Sequence, residues 1–370
     1  MNLIFFGGNK HSKIYKNVKK IKLGKVEVGN YLKPYIIAEI GANHNGDMKL
    51  AKELILSAKE AGADCVKFQS WTPSSLIAKE EYDKNQVYND GDGGKKHFGS
   101  LKEMVEKYAL TEQQHIELKE FCDKKNIAFA SSPFSKEEAD LLNRLGVDFF
   151  KIASMDINYV DFIHYVASFK KPVILSTGMA TLAEIELAVQ TCYKAGNQDV
   201  ILLHCISIYP PEYKDIHLNN IKMLQNTFDL PVGFSDHTIG ISIPLASVAL
   251  GACIIEKHFT LDKNMPGWDH QVSASPEEMR LISQESKNIT RSLGNQKRIV
   301  SEAEESKKLK FRRSLVLTRN IKKGEILKKE DLTAKRPGTH IPPDELDYVV
   351  GRTLIKDLKQ DELLAWENLI

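Results

Sequence analysis

Short apolar runs alternate with amphipathic stretches along most of the chain from residue 35 onward. The segment 48–62 is typical of the amphipathic kind: Leu50, Leu54 and Ala58 fall on one helical face, and a glycine follows. Eight runs rich in β-branched and apolar residues predict strands, at 35–42, 65–71, 127–134, 149–156, 172–180, 200–210, 232–238 and 253–260. Strands that alternate with helices in this way predict βα units around a parallel sheet.

Eight such units predict an α/β fold, a (β/α)8 TIM barrel, because a doubly wound sheet more often has five or six strands. An extra segment, 72–126, is inserted between the second and third predicted strands. It contains a glycine-rich stretch at 89–96 and two helical patterns, and we expect a long loop near the mouth of the active site. Its glycines match neither a P-loop nor a dinucleotide-binding fingerprint.

The rest of the chain flanks this barrel. Residues 1–30 are predicted to be an N-terminal lead-in, ill-ordered over 1–20, and the barrel is predicted to cover 31–294. The charged stretch 295–313 is predicted to be a linker. The last segment, 314–370, contains an internal repeat, because 321–332 and 358–369 match at five of twelve positions. Such a repeat predicts a small domain with pseudo-twofold symmetry.

Composition and charge argue against several classes of protein. The 370 residues include 51 Lys and Arg against 49 Asp and Glu, so a net charge of +2 gives no reason to expect nucleic acid as a partner. The apolar runs stop well short of the roughly 20 residues that a membrane helix needs. The five cysteines never form a C-x-x-C pair, which indicates neither a disulfide framework nor a zinc ribbon and predicts a cytoplasmic location.

The predicted strands end in polar residues, where a buried strand would ordinarily have Val or Ile. These residues are Glu39, Lys67, Gln69, Ser131, Ser132, Lys151, Ser154, Ser176, Thr177, Ser207, Tyr209, Ser235, Asp236, His237, Glu256 and His258. In a (β/α)8 barrel the chemistry occurs at the carboxyl ends of the strands. We therefore expect the active site at this end of the barrel.

Two histidines, His237 and His258, end neighbouring predicted strands and share an inward face by the two-residue period. Two neutral imidazoles leave coordination positions for water or substrate oxygens, so they predict a catalytic site for Mn²⁺, Mg²⁺ or Zn²⁺. Asp236, Asp269 and Glu256 are candidates to orient the ligands or to coordinate through water. The alternative is a pair of hydrogen-bonded core histidines.

Two lysines, Lys67 and Lys151, also end predicted strands, with serines around them. This group suits a phosphate together with a carboxylate, because the hydroxyls donate hydrogen bonds and the ammonium groups offset negative charge. Two alternatives stay open. Each lysine pairs with a carboxylate such as Glu39 or Glu256, or Lys151 forms a Schiff base as in an aldolase.

Seven collinear motifs resemble the sialic acid (N-acetylneuraminate) synthase family. They are Ile37-Ala-Glu-Ile-Gly-Ala-Asn-His44, Val66-Lys-Phe-Gln69, Phe150-Lys-Ile-Ala-Ser154, Leu175-Ser-Thr-Gly-Met179, Leu203-His-Cys205, Ser235-Asp-His-Thr238 and Glu256-Lys-His-Phe259. The C-terminal motifs Ile321-Lys-Lys-Gly-Glu325 and Lys335-Arg-Pro-Gly338 resemble the antifreeze-like (SAF) domain of that family. The resemblance covers residues 30–370 and implies a (β/α)8 barrel followed by a small β-rich antifreeze-like domain over 314–370.

The resemblance implies an activity: condensation of phosphoenolpyruvate with an N-acylated mannose-like sugar, N-acetylmannosamine, to give N-acetylneuraminate or a related nonulosonic acid and phosphate. By similarity, the phosphoenolpyruvate-binding residues are Lys67, Ser132, Lys151, Ser154, Ser176 and Ser235. His237 and His258 would bind Mn²⁺, or Mg²⁺ or Co²⁺ in its place, and Glu39 and Glu256 are the implied catalytic acid/base residues. The implied acceptor-sugar residues are Gln69, Ser207, Tyr209, Asp269 and Arg336.

The family also implies a domain-swapped homodimer, with no nucleic acid or membrane as partner. Ser207 and Asp156 stand where the family often has asparagine and glutamate, and Trp268 and His270 flank Asp269. These departures near the expected acceptor leave open a legionaminic- or pseudaminic-type synthase that uses a 6-deoxy-2,4-diacetamido hexose. A non-catalytic sugar- or ice-binding protein is a further alternative, motivated by the antifreeze-like segment alone.

Overall fold

A computed structural model describes residues 19–84, 101–295 and 297–370. The chain divides into two compact units, Met1–Gly294 and Asn295–Ile370. Most of the predicted ill-ordered segment, residues 1–18, lies outside the described residues, and so does the glycine-rich stretch 89–96.

The first unit is built from alternating strands and helices. Its strands are β1 (Ile21–Leu23), β2 (Val26–Val28), β3 (Tyr35–Gly41), β4 (Cys65–Ser70), β5 (Ala128–Pro133), β6 (Phe150–Ile152), β7 (Val173–Ser176), β8 (Val200–Cys205), β9 (Val232–Asp236) and β10 (Ile254–His258). Its helices are α1 (Met48–Glu60), α2 (Pro73–Leu76), α3 (Lys79–Lys84), α4 (Leu101–Tyr108), α5 (Glu112–Lys125), α6 (Lys136–Arg144), α7 (Val160–Ser168), α8 (Leu182–Lys194), α9 (Asn220–Phe228), α10 (Ser242–Ala249) and α11 (Pro276–Ser292). The second unit contains α12 (Glu302–Phe311), β11 (Ser314–Leu317), β12 (Leu332–Lys335) and α13 (Leu346–Val349).

Strands β3 to β10 form one parallel sheet in the order β5-β4-β3-β10-β9-β8-β7-β6. The strands at the two ends of that order, β5 and β6, lie beside each other, so the sheet curls into a nearly closed barrel. All eight predicted strands are present, and helices follow them in the manner of a (β/α)8 barrel. The predicted fold class is confirmed.

The inward-facing residues of the strands are apolar toward the amino ends and charged toward the carboxyl ends. Toward the amino ends, inward residues such as Ile37 and Ile254 belong to a buried apolar core. Two residues later on the same faces stand Glu39 and Glu256, which are also buried. The alternate residues face the helices and form the larger core between sheet and helices. Each strand therefore supplies packing at one end and chemistry at the other.

The predicted N-terminal lead-in, 1–30, needs correction, because β1 and β2 form an antiparallel hairpin within it. Ile21, Leu23 and Val28 are buried and belong to the inward core of the barrel. Gly24 adopts a φ of 57° at the turn, where a β-carbon would lie 2.6 Å from the Asp148 carboxylate. The hairpin was missed because two runs of three residues are too short for a pattern to emerge.

The predicted linker, 295–313, also needs correction, because α12 occupies most of it. The Ser301 hydroxyl accepts a hydrogen bond from the Glu304 amide at 3.1 Å, and the Glu304 carboxylate accepts one from the Ser301 amide at 3.3 Å. This reciprocal capping box starts the helix. No residue of α12 is buried, so no apolar period marks it in the sequence.

The second unit has the pseudo-twofold symmetry that the internal repeat predicts. Ile321 and Leu358, which are equivalent in the repeat, pair with each other through amide-to-carbonyl hydrogen bonds of 2.9 and 3.0 Å. The other pairs come in equivalent sets: Val316 with Leu363 matches Thr353 with Ile326, and Leu317 with Leu332 matches Leu354 with Leu369. The repeat in the sequence is therefore a repeat in the structure.

The cysteines and the helices bear on two further expectations. All five cysteines are buried free thiols, as the absence of a disulfide framework predicts. Over the ranges that the structure describes, no helix is both long enough and apolar enough to cross a membrane. The cytoplasmic location stays a prediction.

His44 makes the stability of the barrel sensitive to acid. The residue is 1% exposed, and its Nδ1 accepts a hydrogen bond from the Gly46 amide at 3.0 Å. Burial, with His115 nearby, lowers the pKa of His44 to about 4. Because the folded state disfavours the proton, the stability from the neutral ring is present above about pH 6.5 and is lost toward pH 4. We expect a loss of up to about 3 kcal/mol in the free energy of unfolding.

Urea unfolding between pH 7 and pH 4 tests this expectation. The His44→Gln variant cannot take up a proton at this position, so its free energy of unfolding should fall less steeply over that range. An equally steep fall in the variant and in the unchanged protein would contradict the role of His44.

Candidate active site

A cavity of about 460 Å³ lies among the carboxyl ends of the barrel strands. Fourteen of the predicted site residues line it: Glu39, Lys67, Gln69, Ser132, Lys151, Ser154, Ser176, Ser207, Tyr209, Ser235, His237, Glu256, His258 and Asp269. Arg336 belongs to the second unit. Ser131, Thr177 and Asp236 end strands but do not line the cavity. Each of these three residues is next in sequence to one that lines the cavity, as expected when alternate residues of a strand face opposite sides.

Glu256 is the centre of the charged floor, which we define as Glu39, Lys67, Lys151 and Glu256. Its Oε1 accepts hydrogen bonds from Lys151 Nζ at 2.8 Å and from Ser235 Oγ at 2.9 Å. Its Oε2 lies 3.8 Å from Lys67 Nζ. Burial disfavours ionisation, but Lys151 and Lys67 outweigh it and lower the pKa of Glu256 to about 2. Glu256 is therefore a fixed carboxylate that holds two ammonium groups beside the cavity.

Glu39 occupies a different electrostatic environment. Its Oε2 lies 2.6 Å from Lys67 Nζ, and both side chains are 3% exposed. Burial raises the pKa of Glu39 to about 7, opposed by Lys67 and reinforced by the charge of Glu256. Glu256 thus stays ionised, whereas Glu39 can exchange a proton near neutral pH. Two carboxylates with separated pKa values are suited to different chemical roles.

The lysines are paired with carboxylates, which confirms one of the alternatives drawn from the sequence. Lys67 also donates a hydrogen bond to Ser132 Oγ at 3.3 Å. Ser176 Oγ is buried and has no hydrogen-bond partner within the described part of the chain. The ammonium groups and this hydroxyl still line the cavity. An anion that enters the cavity therefore meets donors that are already in position.

Gly178 lies directly against two serine hydroxyls at the cavity, those of Ser154 and Ser207. The Gly178 amide donates a hydrogen bond to Ser154 Oγ at 3.2 Å. A β-carbon at Gly178 would lie 2.7 Å from the same oxygen and would collide with Ser207 Oγ. Glycine is therefore required for these two hydroxyls to lie at the cavity.

His237 and His258 lie side by side, with ring centroids 5.5 Å apart. His237 Nδ1 lies 2.9 Å from the Ile206 carbonyl oxygen, which fixes the ring. His258 Nδ1 is buried without a hydrogen-bond partner among the residues that the structure describes, and it lies 3.7 Å from Asp269 Oδ2. Burial, together with His237 and Lys67, lowers the pKa of His258 well below its usual value. A neutral imidazole with an unpartnered nitrogen is a competent metal ligand.

The histidine pair fits an open metal site better than a closed one. Within residues 19–84, 101–295 and 297–370, no group of three or more His, Cys, Asp or Glu side chains is arranged to hold a metal ion. A divalent ion here would have two imidazoles as protein ligands, and its other ligands would come from water or substrate. Catalytic sites keep such open positions, whereas structural sites do not.

Cys205 also belongs to the candidate site, although the polar strand ends in the sequence did not predict it. Its thiol lines the cavity and is hydrogen-bonded to His237. Burial alone would raise the pKa of the thiol, but His237 and Lys151 outweigh it and lower that pKa. A cysteine in a strand resembles a small apolar residue, so composition gave no signal. In the structure, Cys205 on β8 is paired with Ser235 on β9, which puts it beside the cavity. The register between two strands cannot be read from the sequence.

Asp236 pairs with a lysine and not with either histidine, which corrects its predicted role as a residue that orients the histidines directly. Its carboxylate forms an ion pair with Lys257 Nζ at 2.6 Å, and both side chains are almost fully buried. Lys257 Nζ also donates a hydrogen bond to the Thr238 carbonyl. Asp236 and Lys257 are one residue out of step with the inward positions, so they face the helices. The pair fixes the ends of β9 and β10, beside the two histidines.

One side of the cavity is apolar and was not predicted. We call it the apolar wall: Trp71, Leu76, Ile77, Phe134 and Trp268, which line the cavity and belong to one packed cluster. The rings of Trp71 and Phe134 lie edge to face at 6.1 Å, and Trp71 Nε1 donates a hydrogen bond to the Val105 carbonyl at 3.2 Å. Most of these residues stand in loops after the strands, where strand periodicity carries no information.

Arg336 lies on the loop that follows β12. Its guanidinium is 5.2 Å from the Phe311 ring, a cation–π arrangement. The Gly338 amide donates a hydrogen bond to the Leu309 carbonyl at 2.9 Å, and Ser314 Oγ donates one to the Pro337 carbonyl at 2.7 Å. The last turn of α12 thus holds the loop that presents Arg336.

Ionisable side chains line one cavity at the carboxyl ends of the strands of a (β/α)8 barrel. Enzymes with this fold have their active sites at that end. The NeuB family model matches residues 54–298, and the SAF domain model matches residues 312–370. The chain therefore belongs to the NeuB family and has a C-terminal SAF domain. The resemblance drawn from the seven motifs is confirmed.

Similar proteins cover nearly the whole chain. It is 43% identical to N,N'-diacetyllegionaminic acid synthase of Campylobacter jejuni, over 90% of this chain and 99% of that protein. It is 41% identical to the protein of the same name from Legionella pneumophila, over 92% and 96%. Among solved structures, N-acetylneuraminic acid synthetase from Leptospira borgpetersenii, in complex with citrate, has a TM-score of 0.68 and 35% identity over 78% of this chain and 95% of that one.

The ion pair between Asp236 and Lys257 should make a large contribution to stability. The Asp236→Ala variant leaves a buried ammonium group without its carboxylate, so we expect its free energy of unfolding to fall by about 3–5 kcal/mol. Glu212→Ala is the control, because it removes an exposed ion pair with Lys214 and should cost less than about 1 kcal/mol. Urea denaturation measures both. Equal losses in the two variants would contradict the account.

Proposed function

We propose that this protein condenses phosphoenolpyruvate with an N-acylated mannose-like sugar and releases phosphate and a nonulosonic acid. One observation carries the proposal: a single carboxylate, Glu256, holds the ammonium groups of Lys67 and Lys151 beside one cavity. The similarity to proteins named as N,N'-diacetyllegionaminic acid synthases over nine tenths of the chain supports it.

The donor, phosphoenolpyruvate, would occupy the charged floor. It has a phosphate and a carboxylate, and Lys67, Lys151 and the buried hydroxyl of Ser176 offer hydrogen bonds to both groups. Ser132, Ser154 and Ser235 add hydroxyls that line the same cavity. Burial alone would lower the pKa of Lys67, but Glu256 and Glu39 raise it. Lys67 is therefore charged before the donor arrives.

The reaction makes one carbon–carbon bond and consumes one water. C3 of phosphoenolpyruvate attacks the aldehyde carbon of the open-chain sugar, and water adds at C2. The bond between C2 and the bridging oxygen then breaks, so phosphate leaves and a ketone forms. One proton of the water ends on the new sugar hydroxyl and the other leaves with phosphate. Glu39, whose pKa is raised to about 7, is the group that we assign to take a proton from the water.

We further propose that His237 and His258 hold a divalent ion, Mn²⁺ with Mg²⁺ or Co²⁺ as substitutes. When bound, such an ion polarises the aldehyde of the acceptor as a Lewis acid. The chain's own part is to fix the two rings: the Ile206 carbonyl orients His237, and the Tyr209 ring packs against it with centroids 4.0 Å apart. Burial favours the neutral form of His258.

The acceptor that we propose is a 6-deoxy-2,4-diacetamido hexose rather than N-acetylmannosamine. Two relatives above 40% identity are named as N,N'-diacetyllegionaminic acid synthases, and a third, from Methanocaldococcus jannaschii, has no named activity, whereas the N-acetylneuraminic acid synthetase is 35% identical. A 6-deoxy sugar with a second acetamido group presents more methyl surface than N-acetylmannosamine. The apolar wall can bury that surface, which is favourable by about 0.8 kcal/mol for each methylene-sized group. Gln69, Ser207, Tyr209 and Asp269 would bind its polar groups.

Two other functions fit the site less well. A Schiff-base aldolase needs the free amine of Lys151 as nucleophile, but that amine donates its hydrogen bond to the Glu256 carboxylate at 2.8 Å, as an ammonium group does. A protein that only binds sugar or ice has no use for two buried lysine–glutamate pairs, which are costly to desolvate.

The quaternary structure that we propose is the swapped homodimer of the family, in which one chain supplies Arg336 to the acceptor pocket of another. Exposed apolar side chains support it, because Met155, Met179, Tyr213 and Ile239 stand on loops after β6, β7, β8 and β9 and are each more than half exposed. Exposed apolar residues that gather at one end of a barrel mark a surface that a partner can cover.

Phosphate release from phosphoenolpyruvate in the presence of Mn²⁺ tests the reaction. We expect turnover with 2,4-diacetamido-2,4,6-trideoxymannose, at a kcat/KM about tenfold above that with N-acetylmannosamine. An excess of chelator should abolish it, and so should His237→Ala, because one of two protein ligands is lost. His164→Ala, on the exposed face of α7, is the matched control and should behave as the unchanged protein.

Each part of the proposal has its own contrary result. Silence with both sugars contradicts the condensation, full activity in chelator contradicts the metal site, and preference for N-acetylmannosamine contradicts the acceptor. A covalent adduct on Lys151 after borohydride treatment with substrate would establish the aldolase instead.

A further inference from the structure

Glu138 is a buried carboxylate that the proposed reaction does not use. It lies in the first turn of α6 and is 8% exposed. Its Oε1 accepts a hydrogen bond from Ser75 Oγ at 2.5 Å, and its Oε2 accepts one from the Phe134 amide at 2.8 Å. Glu138 does not line the cavity, but both of its partners stand in segments that do. The carboxylate thus joins two loops that follow different strands, β4 and β5.

The Ser75 side of this junction is intrinsically weak. Ser75 belongs to α2, a single helical turn with no buried residue. An isolated turn of this length is not stable by itself, because nucleating a helix costs more than one turn returns. Besides the packing of Leu76 in the apolar cluster, its anchors in the structure are the capping box with Thr72 and the hydrogen bond to Glu138. Leu76 and Ile77, which come next, are members of the apolar wall.

The Glu138 side of the junction is firm. Ser135 caps α6 through the Glu138 amide, and Ala139 and Leu142, from the same helix, are fully buried in the core between sheet and helices. A helix anchored in this way holds the carboxylate in one place. Since each oxygen of Glu138 binds a different loop, the position of Leu76 and Ile77 is set relative to Phe134.

The apolar wall is the acceptor side of the cavity. Phosphoenolpyruvate needs cations, and the wall has none, so the anionic donor takes the charged floor. The neutral, methyl-bearing acceptor then binds against the apolar wall. Small displacements of positioning groups are enough to weaken binding and turnover.

We propose that Glu138 is a positioning residue for the acceptor sugar, which acts by joining Ser75 to the Phe134 amide and so fixing the apolar wall. This inference rests on the proposed function and deepens it. Glu138 has no contact with the donor site, so its loss should leave phosphoenolpyruvate binding intact.

Steady-state kinetics with each substrate varied in turn test the inference. For Glu138→Ala we expect the KM of the acceptor to rise about tenfold, the effect of losing one charge-assisted hydrogen bond at the wall. The KM of phosphoenolpyruvate should change less than about twofold. Glu138→Gln keeps one acceptor oxygen and should give a smaller rise, and Ser75→Ala should add little to Glu138→Ala. Glu137→Ala, an exposed neighbour in the same turn, is the matched control.

Hydrogen–deuterium exchange tests the junction without any substrate. Peptides that cover 72–78 should exchange faster in Glu138→Ala than in Glu137→Ala or in the unchanged protein. Unchanged exchange of these peptides in Glu138→Ala would overturn the inference. Because this measurement needs no substrate, it tests the role of Glu138 separately from the proposed function. A parallel rise in both KM values, or an unchanged acceptor KM, would also overturn it.

Discussion

The carboxylate of Glu256 is the interaction on which the rest of the site depends. Two ammonium groups beside one cavity repel each other and lose hydration, and neither is tolerated in a barrel interior without an opposite charge. Glu256 lies between them, 2.8 Å from Lys151 Nζ and 3.8 Å from Lys67 Nζ. The same charge helps to raise the pKa of Glu39, so the paired ammonium groups and the proton-exchanging carboxyl group arise from one arrangement.

The barrel separates the residues that line the cavity from the residues that fix the strands. Inward positions at the strand ends face the cavity, and the positions between them face the helices. Asp236 and Lys257 form their ion pair in that outer layer, next in sequence to His237 and to both Glu256 and His258. Glu138 has a comparable part on the loop side, where it joins two segments of the apolar wall. Buried carboxylates outside the cavity thus bind segments that line it or lie next to it.

The sequence predicted the features that follow a short period and missed those that depend on distant contacts. The two-residue alternation at strand ends was enough to select Glu39, Lys67 and Glu256. It could not identify Cys205, which resembles a core residue, or Phe134, which stands in a loop. Helix α12 was missed because a helix with no buried residue needs no apolar face. The repeat of the second unit was visible because the two halves keep the same residue at five of twelve positions.

In the proposed function, Lys67 and Lys151, held by Glu256, form the binding site of phosphoenolpyruvate. Calorimetric titration of phosphoenolpyruvate, without acceptor, tests it most directly in the unchanged protein and in Lys151→Met, with Lys214→Met as an exposed control. Lys151→Met should weaken binding by at least about tenfold, and the control should bind normally. Equal affinity in all three proteins would contradict it.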